Sequence, residues 1–176
     1  AGCRRPSPPR RDDTPVPAVR LEDVRLRPST LSAADRTALK AIVGEPNVAD
    51  DDAARLVRAG GKSTPDLLRR KDSDPQDAPD AVVTPGSDDE IAEVLRYCSQ
   101  QRIAVVPFGG GTSVVGGLDP DRGEFGAVIS LDLRRFDQLL SLDEISGEAV
   151  LGAGLTGPEA ERLLGEHGFS LGHFPQ

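Results

Sequence analysis

The sequence predicts an α+β fold in which helices pack on mixed strands. Three observations carry this. The run Ala81-Val82-Val83-Thr84, a capped helix from Ser87 and the run Ile103-Ala104-Val105-Val106 form a strand–helix–strand unit compact enough for a parallel crossover. Ala127-Val128-Ile129-Ser130-Leu131 reads as a further strand. Glu148–Ala153 reads as another, and a second capped helix follows it from Thr156.

In chain order, residues 1–30 hold Pro6, Pro8, Pro9, Pro15 and Pro17 with little apolar periodicity, which predicts a tail or linker. Residues 31–78 form an N-terminal helical segment. Ser32 caps a helix to about Val43, stopped by Gly44 and Pro46. Asp50, Asp51 and Asp52 suit the N-terminus of a short helix through Leu56 and Val57, where their charges complement the dipole. Thr64 is expected to cap a third helix with Pro65 at its first position. Residues 79–176 form the second domain. There Ser87-Asp88-Asp89-Glu90 is a capping box, and Ile91, Val94, Leu95 and Cys98 make one apolar stripe. Leu139, Leu140 and Leu142 mark a further segment of strand character. Thr156-Gly157-Pro158-Glu159 opens a helix burying Ala160, Leu163 and Leu164, which Gly168 stops. Phe169-Ser170-Leu171-Gly172 is expected as a last strand.

Composition excludes several functions. The 29 acidic and 21 basic residues leave a formal net charge of -8, against a nucleic-acid or anionic-membrane surface. No apolar run approaches the roughly 20 residues that span a bilayer, so a cytoplasmic protein is expected. Cys3 and Cys98 lack metal-site spacing, Cys98 falls on a helix's apolar face, and no metal is expected. The chain starts at Ala1, holds no Met and stops at Gln176 without a closing element, so a fragment cut at both ends is expected.

The candidate site is Pro107-Phe108-Gly109-Gly110-Gly111-Thr112-Ser113, which follows the strand at Ile103 and leads to Gly117. Three glycines free the backbone to take positive φ and to approach a ligand closely. Successive N–H groups in such a turn can surround a phosphate, and Thr112 and Ser113 add hydroxyls. A Rossmann site needs G-x-G-x-x-G opening a helix; here Val114 stands at the third glycine and no helix follows. Gly61-Lys62-Ser63 resembles the end of a P-loop, but Leu56 occupies the required glycine and no strand precedes it. Lys62 remains a candidate point charge for a phosphate.

Residues 79–98 and 103–117, together with GGKSTPDLL (60–68), AVISLD (127–132), GAGLTGPEAERLL (152–164) and GHFP (172–175), resemble the FAD-binding domain of the vanillyl-alcohol oxidase / p-cresol methylhydroxylase superfamily. Within it they are similar to the alkylglycerone-phosphate synthase group. The resemblance implies a flavin held between two small α+β subdomains, the first and part of the second being present here. It makes Pro107 to Ser113 the first FAD pyrophosphate loop, with Gly117 and His173 as further cofactor contacts. Thr112 stands where some relatives carry a flavin-linked histidine, so FAD is expected to bind non-covalently.

The family reaction exchanges the acyl group of acyl-dihydroxyacetone phosphate for a fatty alcohol in ether-lipid synthesis, with the flavin trapping the substrate carbon. The implied partners are FAD, a small-molecule or lipid-like substrate and a second copy in a homodimer. The catalytic residues are expected beyond Gln176, so this stretch alone is expected to be inactive. Two alternatives are a 2-hydroxyacid oxidase or dehydrogenase of the same superfamily, against which Phe108 and Ser113 argue, and a non-catalytic anion-binding module. His167, at a helix end, suits the dipole there.

Overall fold

The structure is a computed structural model that describes residues 23–72 and 75–172. A four-stranded sheet in the order β1-β2-β4-β3 is built from β1 (Val48–Ala49), β2 (Ala81–Val83), β3 (Ile103–Phe108) and β4 (Ala127–Asp132). The strands β2, β4 and β3 run parallel, while β1 is antiparallel to β2, so the sheet is mixed. The helix α4 (Asp88–Gln101) links β2 to β3, and β4 inserts between them. The crossover is therefore parallel, but its two strands are not neighbours.

Central β4 is buried at every position, which explains its unbroken apolar run. One face packs Ala81, Val83, Ile129 and Leu131 against Val94 and Cys98 of α4 and against Leu39 and Val43 of α1 (Ala33–Val43). Burial pushes the Cys98 thiol up to about 11, so it packs as an apolar group. The helices α2 (Asp52–Val57) and α3 (Thr64–Asp72) precede β2, and α2 packs on it. The antiparallel pair β5 (Leu139–Asp143) and β6 (Glu148–Leu151) with α5 (Gly157–Gly165) begins a second unit.

Several expectations change. Residues 1–22 and the Cys3 thiol lie outside the described residues, but the end of the expected tail is docked. The Arg27 N–H donates to the Gln76 carbonyl at 3.0 Å. The Thr30 N–H donates to Asp80 at 2.7 Å. Ser63, not Thr64, caps α3: its Oγ accepts from the Asp66 N–H at 3.1 Å. Phe169–Gly172 forms no strand, because no neighbouring strand pairs with it among the described residues. Two-residue β1 carries too short a pattern to be seen in the sequence.

Asp80 has no solvent exposure and joins three segments, accepting from Thr30, from the Val128 N–H at 2.8 Å and from Arg122 at 3.2 Å. Asp80→Ala strands the buried Val128 N–H and removes the acceptor that Thr30 and Arg122 share, and is expected to destabilise the chain by about 3 kcal/mol. A melting temperature lower by roughly 6–12 °C checks this.

Candidate functional site

The strands β2, β3 and β4 are parallel, so their carboxyl ends share one edge of the sheet, the usual ligand edge of such sheets. The glycine loop leaves from the end of β3. Pro107 and Phe108 lie within β3, opposite Leu131 and Asp132, rather than in the loop. Pro107 is tolerated because β3 is the sheet's edge strand, and it has no N–H to offer a ligand. Phe108 is buried and supports the loop from beneath.

The loop proper turns at Gly111, where φ is +71°, and a Cβ there would lie 2.9 Å from the Phe108 Cζ. The Ser113 carbonyl accepts the Lys62 N–H at 2.7 Å. Gly61 packs on that carbonyl so closely that a Cβ would come within 2.1 Å of its oxygen. The Gly117 N–H donates to the Ser113 Oγ at 3.2 Å, so Gly117 closes the loop on itself. The N–H groups of Gly110, Gly111, Thr112 and Ser113 have no protein acceptor among the described residues. Gly110 and Thr112 are exposed, which leaves these consecutive donors open to a ligand.

A second wall comes from the segment before α5. A Cβ on Gly109 would lie 3.3 Å from the Ala153 carbonyl oxygen, and one on Gly110 would lie 3.6 Å from the Thr156 Cγ2. Gly152 and Gly154 seat this segment on the backbone of Leu133, Arg134 and Phe136. The start of α5 already holds an anion: Glu159 accepts from the Thr156 N–H at 2.8 Å and from its hydroxyl at 2.6 Å. The hydroxyl bond chiefly holds the Glu159 carboxyl below its ordinary pKa. The cap's contribution is therefore present above the unfolded carboxylate pKa and lost as pH falls through the lower folded value. The open donors belong to the loop, not to this helix end.

Charges complete the edge. Asp132, fully buried, is bound by Arg58 at 2.6 Å and by Arg134 at 2.9 Å. Burial holds the Asp132 carboxyl above its ordinary value, and the Arg58 charge and hydrogen bond pull it back only in part. Lys62 is exposed and forms no ion pair among the described residues.

The structure thus gathers Gly109 to Ser113 and brings Lys62 to them through its backbone. His173 lies outside the described residues, and His167 follows the end of α5. The sequence reading missed Arg58, Asp132 and the Ala153–Thr156 wall. An Asp closing an apolar run that is buried throughout was the available signal for Asp132. Among the described residues, no group of three or more His, Cys, Asp or Glu could hold a metal.

Over residues 79–176 the chain matches the family described as FAD binding domain. The chain belongs to that family. The chain is 34% identical over 164 residues to an alkyldihydroxyacetonephosphate synthase of Trypanosoma brucei brucei, covering 92% of this chain and 27% of that protein. The chain therefore spans about a quarter of that relative. A solved alkyldihydroxyacetonephosphate synthase superposes with a TM-score of 0.82 at 32% identity, covering 91% of this chain and 30% of the other. A p-cresol methylhydroxylase with substrate bound shares the fold, with a TM-score of 0.62 at 16% identity over 80% of this chain and 26% of the other. The resemblance drawn from the motifs and the α+β class are both borne out.

The residues present fit FAD. A dinucleotide brings a pyrophosphate, and the loop offers consecutive donors and an adjacent cation without partners among the described residues.

Proposed function

We propose that this chain is the flavin-holding part of an enzyme that replaces the acyl group of acyl-dihydroxyacetone phosphate with a fatty alcohol. The four open N–H groups of Gly110 to Ser113 carry the reading. They bind the FAD pyrophosphate, with the Thr112 and Ser113 hydroxyls as further donors. Thr112 offers the flavin no nucleophilic nitrogen, which supports non-covalent binding. When bound, FAD would supply an electron-accepting ring. The chain's part is to bind and orient it. The similarity to alkyldihydroxyacetonephosphate synthases along nine-tenths of the chain supports this substrate class over the hydroxyacid alternative.

Lys62 adds the positive charge that the loop lacks. Its backbone is tied to Ser113, and a lysine side chain reaches about 6 Å from its Cα, enough to meet a phosphate held by the next residues. Lys62→Gln is expected to weaken FAD binding about fivefold at low salt, and the loss shrinks as salt rises. Fluorescence titration at two ionic strengths checks this.

The test of the whole reading uses the protein in its full encoded length. It is expected to purify yellow, to release FAD on acid precipitation, and to exchange labelled fatty alcohol into acyl-dihydroxyacetone phosphate. Bound FAD with no exchange, but with oxidation of a 2-hydroxyacid, would replace the substrate assignment and leave the flavin site standing.

A further inference from the structure

We propose that Arg58 and Asp132 form a buried clamp that sets the shape of the phosphate cradle from beneath, with Phe108 transmitting its position to the loop. Arg58 is thus a positioning residue for the cofactor. The inference rests on the reading of Gly110 to Ser113 as the cradle.

The contacts form one chain. The Arg58 Nη2 and Nε both donate to Asp132 Oδ2, at 2.6 and 3.2 Å. Arg134 grips the same carboxylate, with its Nε 3.0 Å from both oxygens and its own N–H 3.0 Å from Oδ1. With Asp132 fully buried and the Arg58 side chain 10% exposed, the guanidinium is held in one plane. It lies over the Phe108 ring, 5.4 Å from the centroid. The far edge of the ring meets Gly111, whose missing Cβ would be 2.9 Å from Cζ and 3.3 Å from Cε2. The Phe108 carbonyl also accepts the Leu133 N–H at 2.8 Å, one residue beyond Asp132. The ring, the loop's positive-φ residue and the end of β4 are therefore fixed together.

A buried ion pair often adds no more stability than apolar side chains filling the same space. What apolar filling does not supply is a fixed guanidinium plane, which a ring face attracts more strongly when water is excluded. The clamp also governs charge. One carboxylate shared by two guanidiniums leaves a net positive charge at this end of β4, so Asp132 does not repel a phosphate above it.

The experiment measures FAD affinity by fluorescence titration, and the visible circular dichroism of the bound flavin, on the full encoded protein. Arg58→Met and Phe108→Leu are each expected to weaken FAD binding about tenfold. The double variant is expected to lose no more than either single one, because both break the same chain of contacts. Arg58→Lys keeps the charge but not the plane and falls between wild type and Arg58→Met. The apolar pair Arg58→Met with Asp132→Leu keeps the space filled should Arg58→Met alone fail to fold; its flavin spectrum is expected to differ from wild type. Additive losses, or wild-type affinity and spectrum in the folded apolar pair, overturn the clamp. A wild-type protein that binds no FAD overturns the cradle itself, and the clamp only as its consequence.

Discussion

Gly111→Val is expected to abolish FAD retention in a chain that still folds. Two effects act at one position. The backbone there has φ of +71°, which a β-branched residue adopts only under strain of about 1–3 kcal/mol. The new Cβ would also stand 2.9 Å from the Phe108 Cζ, inside contact distance of a buried ring. The loop is at the sheet's edge, so it can yield by leaving its turn, and the four N–H groups are then displaced from the ligand. An affinity loss of at least about a hundredfold, roughly 3 kcal/mol, follows when two or more donors are misplaced. Gly110→Val makes the complementary control. Its Cβ meets nothing closer than the Thr156 Cγ2 at 3.6 Å, and its φ is not positive. The fold tolerates it, so lost FAD there reports the ligand's own approach. Equilibrium dialysis with FAD and far-ultraviolet circular dichroism separate the two variants. Wild-type affinity in Gly111→Val would show that the turn at this residue does not shape the site.

Gly61→Val is expected to be strongly destabilising. Gly61 is buried, and its Cβ would lie 2.1 Å from the Ser113 carbonyl oxygen, 3.0 Å from the Ser113 carbonyl carbon and 3.3 Å from the Asp66 Oδ2. Two of these three atoms are backbone, so no rotamer relieves the clash. The segment has to separate from the loop, breaking the Lys62 to Ser113 hydrogen bond and disturbing the Ser63–Asp66 cap of α3. A loss of about 3 kcal/mol follows from overpacking together with a broken buried bond, a drop of roughly 6–12 °C in melting temperature. FAD affinity should fall in the same variant, because Ser113 is the last residue of the cradle. Differential scanning fluorimetry with and without FAD reads both. A melting temperature within a degree or two of wild type would mean the two segments are not docked.

The sequence shows the regular elements wherever a local signal and tertiary packing agree. The box at Ser87 and the stripe of Ile91, Val94 and Cys98 gave α4 its bounds, and the first and last strands of the parallel set were visible as β-branched runs. Pro107 hid the end of β3, since a proline normally argues against a strand; edge position is a tertiary property that no local pattern carries. Likewise the insertion of β4 between β2 and β3 depends on long-range pairing. Phe169 to Gly172 has the composition of a strand but no partner among the described residues, and strand propensity without pairing decides nothing.

The site was legible in part for the same reason. Consecutive glycines announce themselves in one dimension. The buried charges around them do not, because Arg58 and Asp132 are far apart in sequence and meet only once α2 has packed on the sheet. The GGK motif, excluded as a P-loop by Leu56, is informative as a neighbour: its Gly61 is required by the close Ser113 carbonyl, and its Lys62 is delivered to the loop by a backbone bond.

The central claim is that the backbone of Gly110 to Ser113 holds the FAD phosphates. Residue-resolved amide hydrogen exchange on the full encoded protein, with FAD bound and with FAD removed, tests it most directly. The amides of Gly110, Gly111, Thr112 and Ser113 are expected to exchange freely without FAD and to become protected together when it binds. FAD bound at full occupancy with these four amides still exchanging freely, and protection appearing elsewhere, would contradict it.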